Sequence, residues 1–109
     1  MKTRILFAAC AVGAAVDVYA SDVAKGQQLA QAQCAACHGK DFASPVDPAY
    51  PKLAGQYPDY LAKALRDYQT GARKNAIMAG IAKPLSRADI QDLSAYLGSL
   101  PGPLDNQKR

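Results

Sequence analysis

Cys34-Ala35-Ala36-Cys37-His38 sets two thiols three residues apart, with an imidazole directly behind them. At the end of a helix, two thiols so spaced can each add to one vinyl group of the same porphyrin edge. The next residue is then held under the iron, where imidazole can ligate it. Three other chemistries fit part of the pattern. A redox dithiol of this spacing belongs in a strand-then-helix setting, and no strand-like alternation precedes Cys34. A structural zinc site wants about four protein ligands, and beyond residue 20 the chain holds no other Cys or His. A Cys34–Cys37 disulfide would close too small a loop to staple much. Context favours covalent haem, carried by Cys34 and Cys37 with His38 as an axial ligand to the iron.

A second axial ligand has one thioether candidate past residue 20, Met78. The ordinary role of a Met is to fill a core. Met78 falls between Gly71 and Pro84 in a stretch without periodicity, where it is read as a loop residue able to reach across a flat cofactor. The alternative is an open or water-bound position that takes small ligands.

These residues need elements to position them, and the chain is short. It has 109 residues and a formal charge of +4, one small domain at most. The first twenty residues read as an export signal cleaved after Ala20, residues 1–20. Lys2 and Arg4 precede a short apolar run from Ile5 to Val16. That run is well below the about 20 residues of a membrane span, so no stable membrane anchor is expected after cleavage. The remaining stretch divides into a domain, 21–100, and a flexible tail, 101–109. A domain of this size usually needs a staple, and haem would serve as the missing core.

Ser21 or Asp22 can cap a first helix, on which Val23, Gly26, Ala30 and Cys34 keep helical spacing. From Phe42 to Tyr57 no period appears, and Pro45, Pro48, Pro51 and Gly55 punctuate a long loop. A loop of that length is unusual unless it wraps something. Pro58-Asp59 opens a second helix with Tyr60, Leu61, Ala64, Leu65 and Tyr68 on one stripe, ended by Gly71. A second irregular stretch follows. Ser86, with Asp89 three residues on, caps a third helix carrying Ile90, Leu93, Leu97 and Leu100. The fold class expected is all-α: three main helices and two long loops around one covalently bound haem.

With these residues on view, the sequence resembles the class I c-type cytochromes, close to the short bacterial monohaem proteins and the halves of tandem di-haem cytochromes. The likeness covers Val23 to Leu100. Gly26 stands where the family has a glycine that lets the first and last helices cross closely. Pro51-Lys52-Leu53-Ala54-Gly55 matches the family's P-x-L-x-G loop. There the proline carbonyl accepts the ligand histidine's N–H, a role the resemblance implies for Pro51. Tyr57-Pro58-Asp59-Tyr60-Leu61, Tyr68-Gln69-Thr70-Gly71-Ala72-Arg73, Met78 and Leu93-Ser94-Ala95-Tyr96-Leu97 match later segments. The resemblance implies axial ligation by His38 and Met78 and a propionate partner in Arg73, with Gln56, Tyr57 and Asn75 as further polar neighbours. Tyr60, Leu65, Tyr68, Ile77, Leu93 and Leu97 are expected to line the haem pocket. One departure is visible: Ala30 stands where many members carry an aromatic that packs on the last helix.

The function expected is single-electron transfer in the bacterial periplasm, by an electron carrier that is not an enzyme. Its partners would be redox donors and acceptors, such as membrane or periplasmic respiratory complexes. Lys40, Lys52, Lys74 and Lys83 could meet an acidic partner, and they fit an ordinary solvated face equally well. No basic run or groove-reading motif points to nucleic acid. The alternatives are a ligand-binding or catalytic haem domain with an open sixth position, and a haem subunit of a larger oxidoreductase.

Overall fold

The computed structural model describes residues 20–105. The expected signal, apart from Ala20, and residues 106–109 lie outside the described residues. The described chain is all-helical, in the order α1 Val23–Gln33, α2 Ala35–His38, α3 Pro58–Thr70, α4 Ala76–Ala82 and α5 Arg87–Ser99. The second irregular stretch is therefore helical in its middle. Met78 lies on α4 and not in a loop. Seven residues with Gly80 among them carry too little periodicity to announce a helix, and Asn75 supplies what the pattern lacks. Its Oδ1 accepts the N–H groups of Ile77 (3.1 Å) and Met78 (3.0 Å), satisfying two donors of the first turn.

α5 is the central element. Ser86 and Asp89 cap it reciprocally: Ser86 Oγ accepts the Asp89 N–H and the Asp89 carboxylate accepts the Ser86 N–H, both at 3.0 Å. Ile90, Leu93 and Leu97 are buried as their spacing requires. Asp92, Ser94, Tyr96 and Gly98 are buried as well, because α1 packs on one flank and α3 on another. A β-carbon at Gly26 would run into the Asp92 carbonyl and approach Tyr96 Cβ at 3.0 Å. The α1–α5 crossing is thus backbone against backbone and takes no side chain. On the α3 side, a β-carbon at Gly98 would stand 2.6 Å from Pro58 Cγ and 2.8 Å from Gln56 O. The Asp22 N–H also donates to Asp92 Oδ1 at 2.8 Å, and the Asp22 side chain caps α1 through the Lys25 N–H. Val23, expected on the inner stripe of α1, is 45% exposed; it is the first residue of the helix, whose buried residues are Gly26 and Ala30.

The long loop between α2 and α3 is organised by Phe42. This residue is fully buried and holds φ at +58°, a left-handed conformation that costs an L side chain about 1–2 kcal/mol. Its N–H donates to Gly39 O, and its carbonyl accepts both Leu53 N–H (2.8 Å) and Ala54 N–H (3.0 Å). Its ring meets Tyr96 edge-on, with centroids 6.1 Å apart and planes at 89°. The aromatic contact to the last helix that Ala30 cannot make is thus supplied from the loop. Phe42 joins Ala30, Ala54, Leu61, Leu93, Tyr96 and Leu97 in one buried cluster. Before it, Asp41 Oδ1 accepts the N–H groups of Ala43 and Ser44 at 2.9 Å. These bonds, with Ala43 the larger cause, hold the Asp41 carboxyl below its usual range. Within the stretch 101–109, Gly102 and Asp105 stand against Ala54 and Gly55.

Candidate functional site

Cys34 ends α1 and opens α2, so the chain changes direction at the first thiol. Its N–H closes on Ala30 O (2.9 Å), and its carbonyl accepts the N–H of Cys37 (3.2 Å) and of His38 (3.0 Å). One tight turn thereby holds both sulfurs and the imidazole in a fixed relation. Both cysteines are half-buried free thiols. Burial first, and then the charge of neighbouring Cys37, push the Cys34 thiol from 9.0 up to about 11. Disulfide exchange needs the opposite shift, toward thiolate. The described residues contain no cluster of three or more His, Cys, Asp or Glu able to hold a metal ion.

His38 is buried, 6% exposed, and its Nδ1 lies 2.8 Å from Pro51 O. A carbonyl can only accept, so Nδ1 carries the proton and Nε2 keeps a free lone pair. The Tyr50 ring lies tilted beside the imidazole, 6.3 Å away between centroids. Pro51 is itself exposed at the surface; its carbonyl, not its ring, reaches inward.

A cavity of about 510 Å³ opens beside this turn. Cys34, Cys37 and His38 line it from α2, and Tyr50, Pro51 and Leu53 from the long loop. Tyr60, Leu65 and Tyr68 line it from α3, Met78 from α4, and Leu93 and Leu97 from α5. Gln56, Arg73, Asn75 and Ile77 also border it, whereas Tyr57 does not. Arg73 places its guanidinium carbon 5.1 Å from the centroid of the Tyr68 ring, within cation–π reach. Tyr60 is 51% and Ile77 60% exposed, large apolar side chains held at the cavity for want of a protein partner.

The donor set and the walls fit a haem: two thiols, a nitrogen lone pair and a thioether border one largely apolar space of cofactor size. Lys52 and Lys74, two of the four lysines singled out from the sequence, border the cavity as well, whereas Ile81 and Leu85 were missed as lining residues, since a one-turn wall carries no period. Also missed was Phe42, which anchors the loop behind Pro51.

The cytochrome c family model matches residues 23–101. The chain belongs to the cytochrome c family. Cytochrome c-554(548) of Halomonas halodenitrificans is 40% identical over 83 residues, covering 73% of this chain and 98% of that protein. A protein of Thiomonas intermedia named thiosulfate dehydrogenase electron acceptor is 46% identical over 69 residues, covering 63% of this chain and 32% of that one. The crystal structure of reduced recombinant cytochrome c4 from Pseudomonas stutzeri superposes with a TM-score of 0.66 at 34% identity, covering 72% of this chain and 48% of that chain. This cytochrome c thus spans about half or less of the c4 structure and of the Thiomonas protein, and nearly all of the Halomonas one. It has the small cytochrome c fold, and its cofactor is covalently bound haem c. No helix among the described residues is long and apolar enough to cross a membrane.

Proposed function

We propose that this cytochrome c is a one-electron carrier of the bacterial periplasm, with one haem c held by Cys34, Cys37, His38 and Met78. The observation that carries the reading is the buried His38–Pro51 bond inside a cavity that both thiols and Met78 also line. Bound haem supplies a single redox site at its iron. Cys34 and Cys37 would hold the haem covalently, each thiol adding its S and H across one vinyl group, a balanced addition that needs no external oxidant or reductant. The Pro51 carbonyl fixes the His38 tautomer and aims Nε2 at the metal. Met78 supplies a soft thioether that favours ferrous iron and raises the potential. Tyr68 packs as wall, and Arg73, steadied over its ring, would neutralise a propionate. Ligation by both His38 and Met78 would leave the iron no coordination site for a substrate, which supports a carrier over a catalyst.

The export signal read at residues 1–20 supports the periplasmic location, and membrane or periplasmic respiratory complexes are the proposed donors and acceptors. A second reading, a haem subunit serving one oxidoreductase as its electron acceptor, rests on the similarity to the Thiomonas protein. Intact mass and a reduced-minus-oxidised spectrum of the exported protein test the main reading. One haem joined through two thioethers, with a near-infrared sulfur-to-iron band, is expected. Two free thiols would end it. Gel filtration of native extract separates the readings: a stable high-mass complex favours the second.

A further inference from the structure

α4 is too short to hold its own place. Seven residues make about two turns, well below the length at which a helix persists alone in water. Its first turn is capped from within by Asn75. At its other end Ala82 O accepts the Leu85 N–H just beyond the helix (3.0 Å), a local bond that ties the end to nothing else, and α3 supplies the link to the rest of the fold. Gln69, half-buried on α3, places its side-chain Nε2 2.8 Å from Ala82 O and 2.8 Å from Leu85 O. The two hydrogens of one carboxamide meet two carbonyls, so neither donor is left over. Ala82, the last residue of α4, is fully buried, and Leu85 lines the cavity. Among the described residues, these two are the side-chain hydrogen bonds that join α3 to segment 75–85.

We infer that Gln69 is the positioning residue for Met78. α3 provides Leu61, Leu65 and Tyr68 to the cavity wall, and the Gln69 clamp fixes how segment 75–85 stands against that same helix. The segment is then held at both ends, by Asn75 in front of Met78 and by Gln69 behind it. Without these donors Leu85 O loses its side-chain partner and Ala82 O keeps only the local Leu85 N–H (3.0 Å), so the tie from α3 is gone and the end of α4 is free to move away. The inference rests on the reading of Met78 as an axial ligand.

The test uses the haem-loaded protein and imidazole as a competing ligand, followed by loss of the near-infrared sulfur-to-iron band. Gln69→Leu keeps the volume and removes both donors; Gln69→Arg restores donors in a planar fork. Imidazole should displace the thioether about tenfold more readily in the Leu variant, the equivalent of one or two neutral hydrogen bonds. The Arg variant should titrate close to the parent. Gly98→Ala, which strains the α3–α5 contact away from segment 75–85, should lower the melting temperature and leave the titration where it was. An unchanged titration in Gln69→Leu, with the band present in the parent, overturns this inference alone. A parent without the band overturns it together with the Met78 reading. If Gln69→Leu fails to take up haem, Gln69→Asn, which can reach at most one carbonyl, replaces it. A shift between parent and tenfold supports the clamp, and no shift overturns it.

Discussion

The Pro51 carbonyl and His38 Nδ1 stand 2.8 Å apart across thirteen residues of chain. That bond ties the loop to the turn that carries both thiols, and it takes its direction from backbone, not from a side chain. Replacing Pro51 by Gly keeps the carbonyl and frees its orientation. A loosened acceptor makes the imidazole a poorer donor to ferric iron. The midpoint potential should rise by up to ~60 mV, the shift that matches a tenfold change in relative affinity for a one-electron couple. Spectroelectrochemical titration of the variant against the parent measures it; an unchanged potential would mean the carbonyl holds its aim without proline.

Met78→Ala should lower the midpoint potential on the order of 0.1 V, within the ~0.8 V that axial ligands span. The near-infrared band should vanish, and carbon monoxide should bind the ferrous protein. A variant that keeps band and potential would make Met78 a packing residue.

Gly26→Ala sets a methyl group against the Asp92 carbonyl. The α1–α5 crossing must open, at a cost of about 1–3 kcal/mol for overpacking. Denaturant unfolding of the haem protein should show that loss, with the visible spectrum unchanged in the native baseline. Equal midpoints would show that the crossing can slide to admit a side chain.

The haem-free chain made by Cys34→Ala with Cys37→Ala should be largely unfolded at room temperature. Its helices are each short for independent stability, and the cavity wall of Tyr60, Leu65, Tyr68, Leu93 and Leu97 would face water. Far-ultraviolet circular dichroism with a thermal melt decides it. A cooperative transition would show that the cluster around Phe42 and Tyr96 is core enough.

The two longest helices, α3 and α5, and their stops at Gly71 and near Pro101, could be read from the sequence because both carry a stripe and a start signal. The motif residues were equally plain, since thiols and imidazole have few other uses at that spacing. Met78 was visible as a thioether and invisible as a helix residue: α4 is made by Asn75 in front and Gln69 behind, neither of which shows in a period. Phe42 was hidden for a different reason. Nothing in a Pro- and Gly-rich loop marks one aromatic as its anchor, and its left-handed backbone arises from two carbonyl contacts that exist only once the loop has closed.

Phe42 has a consequence for redesign. Its carbonyl gathers Leu53 and Ala54 to the point where the loop sets out, so 43–52 is a lobe with its neck already tied. Val46, near its tip, is 68% exposed. Lengthening a loop whose ends are fixed is cheap, about 0.6 kcal/mol per doubling. New sequence grafted at 47–49, past the Val46 N–H that is itself tied to Cys37 O (3.1 Å), would hang outside the knot, while the segment leading from the neck back to Pro51 keeps its anchorage. The molecule thus offers a handle for tethering to an electrode or a chosen partner next to its redox centre, on the side governed by histidine.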